Sequence, residues 1–90
     1  MARKRERLEV IRDILNSIRN NREIKPTRLL YSSNLSPQMF KDYVDELIKK
    51  NFVVLETTPK GKKFFRLKKK GNDFLEEYKI IENFVENFGL

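Results

Sequence analysis

The stretch from residue 36 to residue 71 constrains the fold most, because a helical pattern gives way there to a strand pattern. Ser36 followed by Pro37 is typical of a helix start, since the serine oxygen can accept a free backbone N–H and proline at the first helical position removes a donor that has no partner. Apolar residues then recur three or four positions apart, at Phe40, Tyr43, Val44, Leu47 and Ile48. This spacing predicts an amphipathic helix with one face in a core.

Two β-prone runs follow this helix, at residues 52–55 and 64–67. The segment between them contains Pro59 and Gly61, which are typical turn residues, so the pattern predicts a β-hairpin. Lysines crowd the tip of the hairpin, at Lys60, Lys62 and Lys63. Their long side chains can reach phosphates; the alternative is a solvated turn kept soluble by its lysines.

Helices are also predicted on both sides of this segment. The first spans residues 3–20 and buries a stripe formed by Leu8, Ile11, Ile14, Leu15 and Ile18. A loop through Lys25 and Pro26 leads to a short second helix with Thr27 as its N-cap, on which Tyr31 is expected to pack against the core rather than contact phosphate. The last helix covers residues 69–88.

A tight turn at residues 33–36 joins the second and third helices. Asn34 tolerates the left-handed backbone conformation that such a turn requires, and Leu35 is placed to fill the core between the helices. Helices, turn and hairpin in this order predict an α+β, mostly helical fold: a winged helix-turn-helix with a long C-terminal dimerisation helix. Residues 1–71 form the winged-helix domain, and residues 72–90 form a helix that first packs on the core and then dimerises.

The charge of the chain favours an anionic partner. Its 90 residues carry 20 Lys and Arg against 13 Asp and Glu, a net charge of +7. The charge is unevenly spread, because residues 72–90 hold five acids and one base. The basic part and the acidic end are therefore expected to have different roles.

The residue types that the sequence lacks argue against catalysis and metal binding. It has no cysteine and no histidine, which are common nucleophiles, general bases and metal ligands. It also has no glycine-rich phosphate loop. We expect no enzymatic activity, no cofactor and no metal site. Without a long apolar run or a signal-peptide pattern, a cytoplasmic, chromosome-associated location is expected.

Several short motifs carry a family resemblance. Residues 27–36 read Thr-Arg-Leu-Leu-Tyr-Ser-Ser-Asn-Leu-Ser; they are followed by Tyr43 and Leu47 and, after the hairpin, by Lys70, Gly71, Phe74 and Leu75. In these residues the chain resembles the small archaeal winged-helix DNA-binding proteins. The resemblance implies a winged helix that binds double-stranded DNA and, in some members, dimerises through a long C-terminal helix. One position departs from the family pattern, because Lys68 stands where a capping threonine often precedes the last helix.

The residues expected to contact DNA lie on the hairpin and around the second and third helices. Lys60, Lys62 and Lys63 on the hairpin can bind phosphates, with Arg66 nearby. The helices are expected to add Arg28, Ser33, Ser36, Gln38 and Lys41. Asp42 and Asp45 on the third helix disfavour deep insertion along its whole length, and the alternative is a helix that mainly packs the core.

Both ends of the chain offer further candidates. Arg3, Lys4, Arg5 and Arg7 form either an arm along DNA or a solvated terminus. On the last helix, apolar residues alternate four and three positions apart, as in a coiled-coil seam. This pattern predicts a homodimer whose interface contains Tyr78, Ile81, Phe84, Val85 and Phe88. The alternative is a helix that folds back onto the first helix of its own chain.

Together these features predict a double-stranded DNA-binding protein, either a transcriptional regulator or a chromosome architectural protein. The two roles differ in sequence specificity rather than in chemistry. The alternative is a winged-helix protein–protein interaction module that does not bind DNA.

Overall fold

The computed structural model describes residues 6–90, which form four helices and a three-stranded antiparallel sheet. In chain order the elements are α1 (Arg7–Asn21), β1 (Glu23–Ile24), α2 (Pro26–Ser33), α3 (Pro37–Lys49), β2 (Val53–Thr57), β3 (Lys63–Leu67) and α4 (Lys69–Asn87). The predicted order of helices and hairpin is confirmed.

Helix α1 lies at the centre of the core, where it contacts α2, α4, β1 and β3. Its buried residues are Val10, Ile11, Ile14, Leu15 and Ile18. The helix begins at Arg7 rather than at the predicted residue 3, and residues 3–5 lie outside the described part of the chain. Leu8 was expected in the buried stripe, but it is 53% exposed because it faces an open groove between α1 and the end of α4.

The turn between α2 and α3 has the predicted geometry. Asn34 adopts the left-handed conformation, with φ 58° and ψ 32°. Ser36 caps α3, because its hydroxyl oxygen accepts the N–H of Met39 at 3.2 Å. The predicted N-cap of α2 is wrong: the helix begins at Pro26, whose fixed φ suits the first helical position, and its N-cap Lys25 makes no side-chain cap.

The sheet contains one strand more than the predicted hairpin. The expected loop before α2 includes β1, which pairs with β3 and gives the strand order β1-β3-β2. Glu23 opposes Arg66 and Ile24 opposes Phe65. Two residues carry too little pattern of their own to indicate a strand, so β1 depends on the edge that β3 offers. Ile24 and Phe65 are both buried.

Helix α4 starts in direct contact with the backbone at the start of the hairpin. Gly71 is buried, and a Cβ atom at this position would overlap the carbonyl oxygen of Phe52 and lie 2.7 Å from Cδ1 of Leu67. The same carbonyl accepts the N–H of Lys68 at 3.0 Å. The absence of a side chain at Gly71 therefore allows the first turn of α4 to pack on the sheet.

The two halves of α4 have different surroundings. In the first half Leu75 is buried, and the rings of Phe74 and Tyr78 stack with their centroids 5.7 Å apart. Arg12 of α1 donates to Glu82 at 2.6 Å and covers the ring of Tyr78. Residues 79–90 are all exposed. The first half thus packs on the core, while the second half runs beside the start of α1, pairs with it through Arg12 and Glu82, and stays exposed.

A membrane span would need a longer or more apolar helix than any found in residues 6–90.

We expect Gly71→Ala to lower the free energy of unfolding by up to about 2 kcal/mol. Alanine improves helix propensity by about 1 kcal/mol, but overpacking against a backbone carbonyl costs about 1–3 kcal/mol. Thermal unfolding followed by circular dichroism measures the change. Asn83→Ala, at an exposed position of the same helix, is the control and should change stability by less than about 0.5 kcal/mol. Equal stability of both variants would show that α4 can shift away from the hairpin.

Candidate nucleic-acid interface

The hairpin of β2 and β3, with its turn at residues 58–62, is called the wing below. Its tip is a tight turn, in which Gly61 donates its N–H to the carbonyl of Thr58 at 2.9 Å and has φ +84°. The N–H of Thr58 donates to the carbonyl of Lys62 at 2.8 Å. Lys60 and Lys62 on this turn and Lys63 at the start of β3 are all exposed. The hydrogen-bonded tip of the hairpin thus presents three exposed cations.

A basic groove lies between the wing and the start of α2. Lys25, Arg28, Lys62 and Lys63 line it, together with Glu23 and uncharged residues, and its volume is about 580 Å³. The structure therefore brings predicted residues of α2 and the wing together. Lys25 is a member that the sequence analysis missed, because its position becomes informative only once β1 is placed beside β3.

The predicted residues of α3 lie on its first turns and are exposed. The hydroxyl of Ser36 caps the helix, and the amide of Gln38 donates to Asp42 at 3.0 Å. Lys41 donates to Asp45 at 2.8 Å, and this hydrogen bond and the charge of Asp45 raise the pKa of Lys41. Carboxylates on the same face therefore engage both long side chains.

Ser33 does not belong to an exposed surface, so its predicted DNA contact is wrong. Its side chain is 1% exposed, and its hydroxyl donates to the carbonyl of Leu30 at 2.7 Å. The N–H of Leu35 donates to the same hydroxyl at 3.3 Å. Ser33 stabilises the turn between α2 and α3 from within.

Three other predicted positions also have specific surroundings. Tyr31, expected in the core, is 85% exposed, because it lies on the outer side of α2. Arg66 donates to Glu56 at 2.8 Å across the sheet. Arg7 pairs with Glu46 and lies over the ring of Tyr43, so it is tied to α3 rather than part of an arm. The rest of the proposed arm, Arg3, Lys4 and Arg5, lies outside the described residues.

Ion pairing divides the cations of the surface into two sets. Carboxylates pair with Arg7, Arg12, Arg19, Lys41, Lys50, Arg66 and Lys69. Within residues 6–90, five other cations of the wing and its groove form no such pair: Lys25, Arg28, Lys60, Lys62 and Lys63. These five can bind an anion without first giving up a carboxylate. No group of three or more acidic residues within the same part of the chain is placed to hold a metal ion.

The sequence pattern of a known family extends over almost all of these elements. The model of the winged helix-turn-helix family matches residues 4–86. The chain belongs to the winged helix-turn-helix family. An uncharacterized protein of Methanocaldococcus jannaschii, MJ0287, is 42% identical over 67 residues, covering 69% of this chain and 68% of that protein. A second protein of this archaeon, MJ0290, is 33% identical over 63 residues, covering 64% of this chain and 29% of that protein.

Solved structures share the fold of this winged helix-turn-helix chain. Sso10a-2, a DNA-binding protein from Sulfolobus solfataricus, has a TM-score of 0.76 at 21% identity, with 93% of this chain and 85% of that chain covered. A mutant MarR from E. coli complexed with operator DNA has a TM-score of 0.66 at 23% identity, with 74% and 49% covered. A winged-helix DNA-binding protein from STIV has a TM-score of 0.67 at 23% identity, with 91% and 92% covered.

The second half of α4 gives this winged helix-turn-helix protein a separate apolar surface. Four of the five predicted interface residues are exposed there: Ile81 (59%), Phe84 (56%), Val85 (38%) and Phe88 (68%). Ile80, at 64% exposure, widens the surface. Tyr78, the fifth, is half-buried by Phe74 and Arg12 of its own chain and only borders the surface. Its main contacts are therefore within the chain.

We expect Ser33→Ala to lower the free energy of unfolding by about 1–3 kcal/mol, because the N–H of Leu35 loses a buried partner. For a domain of this size each kcal/mol lowers the melting temperature by about 4–8 °C. Ser32→Ala is the control, since Ser32 is exposed, and its effect should be smaller. DNA affinity of folded Ser33→Ala should equal that of the unaltered protein. A stable Ser33→Ala variant with weaker DNA binding would show that Ser33 contributes to the DNA contact.

Proposed function

We propose that this protein binds double-stranded DNA through its wing, the groove beside the wing and the first turns of α3. The observation that carries the proposal is the cluster of unpaired cations on the wing and at the start of α2. Within residues 6–90 they form no ion pair, and Lys25, Arg28, Lys62 and Lys63 line one groove. A cationic surface of this kind attracts the phosphates of a DNA duplex.

Contacts with the DNA backbone are proposed to dominate this binding. Each neutralised phosphate releases condensed counterions, so a cluster of free lysines and arginines gives affinity that falls steeply with salt. On α3 the side chains of Gln38 and Lys41 already bond to Asp42 and Asp45. Base reading by α3 must compete with these bonds, which favours modest sequence preference over strict recognition.

The names of the structural neighbours support DNA binding without fixing the biological role. Sso10a-2 and the STIV protein are described as DNA-binding proteins, and the MarR mutant was solved with operator DNA. We propose a role as a transcriptional regulator or a chromosome architectural protein, located on the chromosome. We favour the architectural role, because the side chains of α3 that could contact bases already bond to carboxylates. The proposed function includes no catalytic activity.

The second half of α4 is proposed to hold two copies of the chain together. Its apolar residues stay exposed, although Ile81 and Val85 border the open groove that Leu8 and Arg12 of α1 line on the other side. An identical helix offers the same apolar face, so one contact buries both. Because this face lies at the acidic end of α4 and away from the wing, a dimer contact there leaves the cationic surface free for DNA.

Charge reversal of the wing is the direct test of DNA binding. We expect Lys60→Glu, Lys62→Glu and Lys63→Glu together to weaken binding by about tenfold or more and to lower the slope of log affinity against log salt by about one per lost contact. Fluorescence anisotropy with an AT-rich and a mixed duplex across a salt series measures both quantities. Equal affinities for the two duplexes would support backbone-dominated binding, whereas a large difference would indicate base reading by α3.

The control for this test changes the charge elsewhere. Lys49 and Lys79 are exposed and form no ion pair with the described residues. Lys79→Glu, on α4, should leave DNA affinity within about twofold of the unaltered protein apart from the general effect of net charge. Unchanged affinity after charge reversal of the wing would contradict the proposal. Absence of binding by the unaltered protein at low salt would favour the protein-interaction alternative.

The proposed dimer is tested on its apolar face. We expect Val85→Asp with Phe88→Asp to give monomers in sedimentation experiments, because two carboxylates would have to be buried without partners. Asn83→Asp with Asn87→Asp adds the same charge to polar positions of the same half of α4 and should preserve the dimer. A Val85→Asp and Phe88→Asp variant that still sediments as a dimer would place the interface elsewhere. A monomeric unaltered protein would reject the dimer altogether.

A further inference from the structure

A second basic groove lies at the other end of the sheet, away from the tip of the wing. It is lined by the end of α1, the end of β3 and the start of α4, and its volume is about 540 Å³. The basic residues around it are Arg19, Arg22, Arg66, Lys68 and Lys69, and Glu23 and Asn72 also contribute to its walls. Arg19 and Arg22 are not among the predicted DNA contacts.

Two cations of this groove are available to a ligand. Arg19, Arg66 and Lys69 pair with Glu76, Glu56 and Asp73, respectively. Arg22 and Lys68 are exposed and form no ion pair within residues 6–90. An anion in the groove would therefore meet two free cations and three paired ones, with Glu23 as a carboxylate in the same wall.

The backbone of Arg22 supports a role for its side chain. Arg22 ends α1 with φ 59° and ψ −52°, a conformation that non-glycine residues rarely adopt and that costs about 1–3 kcal/mol. Glycine would relieve this cost. Lys68 precedes α4 without forming a side-chain cap, so the unpaired N–H groups of the first turn add partial positive charge near the groove.

The second groove adjoins the groove beside the wing. Glu23 of β1 lines both, and β1 runs along the edge of β3 between them. Free cations thus follow the β1 edge of the sheet, with Lys62, Lys63, Arg28 and Lys25 at one end and Arg22 and Lys68 at the other. Glu23 is the one carboxylate that lines both grooves in the described chain. Cations at both ends of one sheet edge suit an extended polyanion.

We propose that the Arg22 and Lys68 groove binds backbone phosphates of the same DNA duplex that the wing contacts, and so extends the DNA-binding surface along the β1 edge. This inference rests on the proposed DNA binding and adds a second, separate group of contacts to it. The additional contacts lengthen the DNA segment that the protein protects, and they make the affinity fall more steeply with salt. It contributes nothing to sequence recognition, because it holds phosphates rather than base edges.

The test compares two charge-matched variants on a 30-base-pair duplex of mixed sequence. We expect Arg22→Gln with Lys68→Gln to raise Kd several-fold and to lower the log–log salt slope by about 1–2, because each lost phosphate contact removes about 0.9 from the slope. Hydroxyl-radical footprinting should show a shorter protected segment. The control, Lys79→Gln with Asn83→Asp, removes the same net charge from α4 and should retain the slope and the footprint of the unaltered protein.

Arg22→Gly separates binding from folding. Glycine removes the guanidinium and also relieves the unfavourable backbone conformation, so we expect an unchanged or higher melting temperature together with weaker DNA binding and a lower salt slope. A loss of stability with unchanged DNA affinity would show that Arg22 serves the fold, and it would overturn the inference.

The possible failures are distinguishable. If the unaltered protein does not bind the duplex, the proposed function itself is rejected. If it binds and only the wing variant weakens binding, the function stands and the groove proposal is overturned. Equal salt slopes for the groove variant and its control would also overturn the groove proposal. If the groove variant binds one duplex normally but no longer captures a second, immobilised duplex, the groove holds separate DNA and the proposal is again overturned.

Discussion

The structure depends on the apolar stripe of α1. Ile14, Leu15 and Ile18 are at most 1% exposed, and α2, β1, β3 and α4 all pack around this helix. Burying one such side chain is worth about 1.5–3 kcal/mol, a large contribution in a domain whose total stability is marginal. Because the four elements share one support, the positions of the wing, the turn before α3 and the base of α4 are coupled. Loss of any residue in the stripe would loosen both basic grooves together.

Charge pairing gives this small surface two kinds of region. On the first turns of α3 and along the α1–α4 contact, cations pair with acids, as in Lys41 with Asp45 and Arg12 with Glu82. Such pairs on an exposed surface add little stability, but they reduce the field that an approaching anion meets. Along the wing and the β1 edge, basic residues such as Lys62 and Arg22 have no such partner among the described residues. The total charge of the chain says less about its function than this distribution does.

Local signals explain which features could be predicted from the sequence. The cap at Ser36, the left-handed Asn34 and the wing turn each depend on a few neighbouring residues, and all were predicted. Features that depend on distant partners were missed: β1 needs the edge of β3, and the exposure of Leu8 and Tyr31 depends on which elements lie beside them. In the candidate site, too, local features could be predicted and features that depend on distant residues could not. The wing lysines follow from the turn, whereas the burial of Ser33, the contribution of Lys25 and the groove at Arg22 appear only when the chain is folded.

Helix α4 joins the sheet to the apolar surface without interruption. It has 19 residues and is therefore about 28 Å long, and residues 72–87 contain neither glycine nor proline. Gly71 fixes its base on the hairpin, so the helix acts as a rigid spacer with a defined phase. Each residue added to its second half would move the apolar face by about 1.5 Å and turn it by about 100° relative to the wing. The length of α4 thus determines in which direction, and at what separation, two wings of an assembly would point.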